Sequence, residues 1–304
     1  MNYTLLQGDN RETLKTIPDN SIDAIITDPP YGIGFLGKSW DANTGSIETY
    51  QECLRVLKPG GHILAFSAAR TYHHLAITLE QAGFEIRDQI MWIYSSGFPK
   101  SQDVGKSLDK KNIDNEWAGW GTALKPAHEP ICMARKPLTK GNSIARNCIQ
   151  WGTGAINIDA TRIESETLVY PANGMNRLEF NQSEPDKWQG ENTINDKGRF
   201  PSNVIGDIPD YQKFFYCPKV NRKERHMEGS LENIHPTVKP IELMKYLIKL
   251  VTPRGGTVLD PFNGSGSTGC AAVELGHTYI GCELDAAYIE ISKKRIEAWN
   301  SNQT

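Results

Sequence analysis

The sequence has six cysteines, Cys53, Cys132, Cys148, Cys217, Cys270 and Cys282, but no Cys-x-x-Cys pair and no Cys/His cluster at zinc spacing. That excludes zinc ribbons, dithiol redox motifs and a disulfide scaffold, and it predicts buried free thiols and no metal site. No apolar run approaches the roughly 20 residues of a membrane span. The first residues, MNYTLLQGDNRETL, lack the basic-then-apolar pattern of a secretory signal. Internal repeats and low-complexity tracts are also missing. The expectation is an intracellular protein with no membrane partner. An excess of positive charge is missing too, since the net charge is −3, so this is not a polycation that holds nucleic acid everywhere. Residues 95–230 carry 19 Lys+Arg against 17 Asp+Glu, an imbalance too small to argue for DNA alone.

What the sequence does have is material for a core. Hydrophobic residues make up 38% of the 304 and charged residues 23%, enough for one large α/β domain with an insertion or for two modest domains. Ile22–Asp28 (IDAIITD) is a mostly apolar run cut off by Pro29-Pro30, as a buried parallel strand would be. Ile47, Tyr50, Leu54 and Leu57 recur at helical spacing. Lys58-Pro59-Gly60-Gly61 breaks that helix, and His62–Phe66 reads as the next strand. Thr71–Ala82 reads as a helix, and Phe84–Tyr94 and Glu129–Ala134 read as strands. The last part repeats the alternation. Pro240 opens a helix with Ile241, Met244, Leu247, Ile248 and Val251 on its apolar face. Thr257–Asp260 and Thr278–Glu283 are strands, and Ser267–Leu275 and Ala286–Trp299 are helices. Residues 136–232 are rich in Asn, Gly, Pro and Trp without clear period. So long a structureless loop is uncommon inside a domain, so this stretch reads as an inserted module. The flanks then build one open, mostly parallel sheet from both ends of the chain.

Two turns carry the chemistry. In Asp260-Pro261-Phe262-Asn263-Gly264-Ser265-Gly266-Ser267-Thr268-Gly269 the glycines satisfy G-x-G-x-x-G between a strand and a helix. That context suits a nucleotide-type cofactor lying on the backbone. Glu283, ending the next strand, can accept hydrogen bonds from ribose hydroxyls. Nicotinamide dinucleotides and S-adenosylmethionine both meet this description. Asp260, ahead of the glycines, would repel a pyrophosphate and favour the ammonium of a methionine moiety. The second turn, Asp28-Pro29-Pro30-Tyr31, ends the first buried strand, where ligands of open α/β sheets bind. Its prolines leave the backbone little freedom. The Asp28 carboxylate and the Pro29 carbonyl can accept the two N–H bonds of a base amino group, and Tyr31 can stack on the ring.

DPPY together with DPFxGSGxTG resembles the amino-group DNA methyltransferases. The order of the two, catalytic turn first and cofactor turn last, resembles their circularly permuted β group. His235-Pro236-Thr237-Val238-Lys239-Pro240, Gly281-Cys282-Glu283-Leu284-Asp285 with Tyr288, Gly8-Asp9-Asn10 and His128-Glu129-Pro130-Ile131 agree with other segments of that family. DPPYGIGFLGKSWD and SSGFPKSQDV resemble phage- and prophage-carried methylases. The resemblance covers roughly 1–135 and 233–300. It implies a Rossmann-like sheet of about seven strands, six parallel and one reversed. A catalytic and cofactor-binding domain would span 1–135 and 233–304, and a target-recognition insertion 136–232. It implies Asp28, Pro29, Pro30 and Tyr31 for catalysis, and Asp9, Thr237, Lys239, Asp260, Phe262, Gly264, Gly266 and Glu283 for S-adenosylmethionine. It further implies double-stranded DNA as partner, work in the cytoplasm of a bacterial or phage-infected cell, and room for a homodimer and a cognate restriction endonuclease.

The expected reaction is direct transfer to adenine N6 of a flipped-out base, with no cysteine nucleophile. Cytosine N4 presents the same two N–H donors and stays open on physical grounds; DPPY goes more often with adenine in the family. RNA or protein amides are other acceptors. An oxidoreductase using the glycine turn is the reading from another class, and DPPY, HPTVKP and Asp260 argue against it. Trp117, Trp120, Trp151 and Trp188 are candidates for wedging DNA or for anchoring the insertion. Lys100, Lys106, Lys110 and Lys111, and the denser run Lys219, Arg222, Lys223 and Arg225, are candidates for phosphate contact.

Overall fold

The computed structural model describes residues 2–34, 43–94, 97, 101–164, 168–170, 193–195, 197–206, 217, 219–227 and 231–301. Its strands are β1 (Tyr3–Gln7), β2 (Ile22–Thr27), β3 (Leu57–Phe66), β4 (Glu85–Ile93), β5 (His128–Arg135), β6 (Leu168–Tyr170), β7 (Thr193–Asn195), β8 (Val204–Gly206), β9 (Thr257–Asp260) and β10 (Thr278–Glu283). Its helices are α1 (Asn10–Thr13), α2 (Ile47–Val56), α3 (Tyr72–Ala82), α4 (Val104–Asp109), α5 (Ile144–Trp151), α6 (Arg222–Arg225), α7 (Ile241–Val251), α8 (Ser267–Glu274) and α9 (Ala286–Ser301). Eight strands form one sheet in the order β1-β10-β9-β2-β3-β5-β4-β8. Every neighbouring pair is parallel except those of β5, which runs against both β3 and β4. This is the expected set of six parallel strands and one reversed, with β8 added at the edge.

The alternation of side chains across the sheet makes two cores. Ala24 and Ile26 of β2 and Leu64 and Phe66 of β3 face α7 and α8, with Trp92 beside them. Ile25, Ile63 and Ala65 face the other way, onto α2 and α3 through Tyr50, Cys53, Leu75 and Leu79. Each fully buried aliphatic side chain contributes about 1.5–3 kcal/mol relative to exposure. Both faces are covered, so β2 is buried at all six positions. Its run IDAIIT therefore lacks the polar-apolar alternation of a half-exposed strand.

Two expectations are adjusted. Lys58-Pro59-Gly60-Gly61 does not precede β3 but lies inside it. Leu57 pairs with Ile22 and His62 with Ala24, so four residues of β3 bulge opposite the single Asp23 of β2. The Asp23 carboxylate holds the irregularity, accepting from Lys58 Nζ at 2.6 Å and from the Thr257 backbone N–H at 2.7 Å. The second adjustment concerns residues 136–232, parts of which join the catalytic sheet. α5 lies against β3, and Asn147 Nδ2 and Thr153 Oγ1 donate to the Pro59 carbonyl at 2.8 and 2.7 Å. β8 extends the sheet by pairing with Met91–Ile93 of β4. Burying Asn147 and Thr153 is tolerable because each polar group finds a partner. Among the described residues no helix is long and apolar enough to cross a membrane.

Candidate active site

β2 and β9 are neighbours, although their residues are more than 230 positions apart in sequence. From β2 the chain winds towards β3, and from β9 it winds towards β10, so the crevice at their carboxyl ends is a topological switch point. Both chemical turns open there. Thr27 Oγ1, one residue before DPPY, donates to Asp260 Oδ1 at 2.7 Å and ties the turns together.

On the β9 side, Gly264 and Gly266 adopt positive φ of 52° and 79°. A Cβ at Gly264 would come within 2.9 Å of His235 Nε2, and one at Gly266 within 2.3 Å of Ser292 Oγ. Glycine is required at both by conformation and by space. The Gly264 N–H donates to Glu283 Oε2 at 2.8 Å, and the Asp285 N–H to Oε1 at 2.9 Å. Each oxygen of Glu283 keeps acceptor capacity for a further donor, which suits ribose hydroxyls. Burial raises the Glu283 pKa above the usual carboxylate value. Asp9 follows β1, whose last residue Gln7 pairs with Glu283, and caps α1, accepting from the Arg11 N–H at 2.9 Å; its guanidinium bond to Arg11 holds its pKa low. Phe262 is half-buried and packs against Tyr50 at 6.4 Å between ring centroids. Behind the turn, the fully buried Arg295 donates to the Ser265 carbonyl at 2.7 Å.

Asp260 does not present its charge at the mouth of this cradle. It is buried, and its oxygens accept from Thr27, from Thr268 Oγ1 at 2.7 Å and from the Phe262 N–H at 3.0 Å. Burial pushes its pKa up to about 6 against those three donors. Asp260 was expected to meet the ammonium of a methionine moiety. The side chain builds the turn from behind, because neutral donors on three sides hold it inside.

On the β2 side, Asp28 and Tyr31 meet two residues from distant segments. Lys239 Nζ lies 2.5 Å from Asp28 Oδ2, 3.1 Å from the Tyr31 hydroxyl and 3.4 Å from Glu129 Oε2. The Tyr31 hydroxyl is 2.8 Å from Asp28 Oδ1 and 3.0 Å from Glu129 Oε2. Burial alone would pull the Lys239 ammonium down; Asp28 and Glu129 outweigh it and leave its pKa above the usual lysine value. Burial and the same two carboxylates push the Tyr31 phenol well above its ordinary range, so it keeps its hydrogen. Pro29 is buried and Pro30 half-buried, which fixes the turn. Lys239, expected among the S-adenosylmethionine residues, thus lies in the DPPY pocket. Thr237 stands between the two pockets, its carbonyl bonded to His235 Nδ1.

The segment HPTVKP is held from the insertion side. Arg225 Nη2 donates to the carbonyls of His235 and Pro236. Glu224 accepts from the Ile241 N–H at 2.7 Å, at the start of α7. Lys219 Nζ stands 3.7 Å over the Tyr94 ring and 3.8 Å from Glu129 Oε1. Lys219 and Arg225 thus have internal tasks in place of the expected phosphate contact, and the side chains of Arg222 and Lys223 lie outside the described residues. Trp151 is an anchor, donating to Thr139 Oγ1 at 2.9 Å. Trp117 and Trp120 form an exposed edge-to-face pair at 5.2 Å, near Lys106, Lys110 and Lys111 on and just after α4. Trp188 and Lys100 lie outside the described residues.

Sequence reading gave no role to Thr27, Glu129, His235 or Thr268. Glu129 was visible only as part of HEPI. It is the second residue of β5, opposite Trp92 of β4. Because β5 is reversed, its first residues come to the edge where the parallel strands end.

A DNA methylase family model matches residues 22–294 of the chain. The chain is 25% identical to the type II methyltransferase M.HindIII of Haemophilus influenzae, over 98% of this chain and 96% of that protein. It is 28% identical to the DNA adenine methyltransferase YhdJ of Escherichia coli K12, over 97% of this chain and 82% of that protein. Among solved structures it resembles the TTHA0409 DNA modification methylase of Thermus thermophilus complexed with S-adenosyl-L-methionine, with a TM-score of 0.54 and 20% identity over 98% of this chain and 96% of that one.

Proposed function

Because the chain belongs to the DNA methylase family, we propose that it methylates the N6 amino group of adenine in double-stranded DNA, with Asp28 as the residue that grips the amine. S-adenosylmethionine supplies an electrophilic methyl when bound. The fit rests on the glycine cradle, which a Cβ would fill at Gly264, and on the spare acceptor capacity of Glu283. The observation that carries the assignment is the junction of the two turns through Thr27 and Asp260. It places a carboxylate-and-phenol pocket beside a nucleotide-type turn on adjacent strands.

The difficulty of the reaction lies in the nucleophile, whose lone pair is delocalised into the ring. Asp28 and the Pro29 carbonyl accept the two amine hydrogens and draw the nitrogen towards a tetrahedral shape. The lone pair is then localised on the face turned to the methyl group, which is positioning with electrostatic stabilisation. The base must leave the duplex, at a cost of a few kcal/mol. Stacking on Tyr31, about 1–3 kcal/mol per base, offsets this. Each Asp28 oxygen already accepts one bond, from Lys239 and from the Tyr31 hydroxyl, and keeps acceptor capacity for the amine.

The insertion 136–232 is the proposed target-recognition region, with α5 and β8 docked on the catalytic sheet. The reading extends to a cytoplasmic enzyme, to a homodimer that light scattering would test, and to a partner endonuclease, for which the type II relative is the support. Long-read sequencing of DNA from cells expressing the protein, with digestion to nucleosides, tests the assignment. N6-methyladenine in a fixed context is expected. N4-methylcytosine would move the target base, and unmodified DNA would refute the activity.

A further inference from the structure

We propose that Glu129 receives the proton shed by the methylated amine, passed on through the Tyr31 hydroxyl. The inference rests on the reading of Asp28 as the amine's acceptor. The Tyr31 oxygen bridges the two carboxylates, 2.8 Å from Asp28 and 3.0 Å from Glu129. A hydroxyl carries one hydrogen, so it donates to one carboxylate at a time. The other then faces the phenol oxygen at hydrogen-bond distance, the line along which a hydrogen can be handed across. Lys239 reaches both carboxylates and the phenol, and so neutralises charge on either side of the bridge.

Each described group that faces Glu129 fits this part. From the DPPY turn comes Tyr31, with Asp28 behind it. From HPTVKP comes Lys239. From the end of β4 comes the Tyr94 hydroxyl, 3.4 Å from Oε1, and from the insertion Lys219 at 3.8 Å. The Glu129 side chain is 16% exposed, so it has an outlet to water once a base covers Asp28.

The step balances. The amine lone pair forms the N–CH3 bond as the S–CH3 bond breaks, its electron pair staying on sulfur. The nitrogen then carries a methyl, two hydrogens and a positive charge. It loses one proton to Asp28, and the N–H electron pair returns to the nitrogen and ring. Asp28 passes its proton to the Tyr31 oxygen while Tyr31 gives its own hydrogen to Glu129. Asp28 is again a carboxylate, Tyr31 a phenol and Glu129 a neutral acid that releases to water. Glu129 touches neither base nor methyl donor, so it is a positioning residue acting through Tyr31.

The test uses the full chain, tritiated S-adenosylmethionine and unmethylated mixed-sequence DNA, with kcat and KM measured across pH. Glu129→Gln is expected to lower kcat roughly 10- to 100-fold with both KM values little changed. Glu129→Asp, which keeps a carboxylate, should recover much of the lost kcat. Tyr31→Phe keeps the ring and breaks the bridge, so it should lose as much as Glu129→Gln, and the double variant no more than either, because both cut one path. The Tyr31→Phe and Glu129→Asp arms decide the question if Glu129→Gln does not fold. Parent-like kcat in folded Glu129→Gln, or losses that multiply in the double variant, would overturn the relay. Asp28→Ala separates the two ideas. If it still turns over, the grip on the amine falls and the relay with it. If it is dead while Glu129→Gln is fully active, only the relay falls.

Discussion

Asp28 and Asp260 end or adjoin neighbouring strands of one sheet, a short way apart, and the fold treats them in opposite ways. Asp28 is set against a cation, Lys239, and a phenol. Asp260 has no cation on it among the described residues and is held by two threonine hydroxyls and one backbone N–H. The first environment sets a carboxylate in a half-buried pocket beside a cation and a phenol, with acceptor capacity left for a substrate amine. The second fastens a carboxyl inside, where nothing from solvent can compete for it, and raises its pKa to about 6. A carboxylate near a ligand is therefore not by that fact a ligand. What surrounds it decides whether it presents charge or shapes backbone.

The largest effect that could break this contrast is on catalysis. Asp28→Ala is expected to lower methyl transfer by about 10³-fold or more, in the upper range for loss of one preorganised polar group. S-adenosylmethionine affinity by calorimetry should stay close to that of the parent. Loss of both together would mean that Asp28 supports the whole crevice. Next comes Lys239→Met, which leaves Asp28 and Glu129 without their shared cation. Breaking a buried pair from one side costs about 3–5 kcal/mol, readable by urea unfolding at pH 8. Part should return at lower pH, where a proton replaces the lysine; unchanged stability would remove Lys239 from the account.

The smallest effect sharpens the other half. Asp260 has a folded pKa of about 6 against an ordinary 3.8, so the fold favours the neutral acid. As pH rises from about 4 through 6 the native state must ionise a group that the unfolded chain ionises freely. The parent then loses up to about 3 kcal/mol relative to Asp260→Asn, which has nothing to ionise. Melting temperatures of the two proteins between pH 4 and 7 should diverge in that direction. A constant gap would show that the carboxyl does not titrate there.

Much of the fold was legible because the strands are short and decisively ended. TVLD and TYIGCE stop where predicted, as β9 and β10. IDAIIT stops at the prolines, since proline cannot extend a central strand. The helix boundaries of α2, α7 and α8 agree to within one residue, as caps and breakers allow. The bulge in β3 was not legible, because a Pro-Gly-Gly string marks a break in local sequence whether or not a neighbouring strand bridges it. Nor was β8, a three-residue strand whose only reason to form is the open edge of β4.

At the site, both turns could be read from local sequence, since a strand tip followed by prolines or glycines constrains backbone by itself. Lys239 was found as a cofactor candidate, but its meeting with Asp28 and Glu129 was not foreseen. Glu129 was seen within a familiar string and given no task. The basic run Lys219–Arg225 looked like a phosphate grip, yet two of its members hold HPTVKP and face Glu129. Composition cannot tell a cation that meets solvent from one that meets a carbonyl.

The sequence by itself determined the two turns, the alternation of elements around them and the residue types at their tips, because these depend on backbone sterics and periodicity within a few residues. Only the tertiary structure decided that β9 lies beside β2, that the reversed β5 delivers Glu129 to Tyr31, and that Lys239 rather than Asp260 stands in the charged pocket. Those facts depend on strand order and direction, which are set by packing across the whole sheet and leave no mark on the spacing of residues 28, 129, 239 and 260.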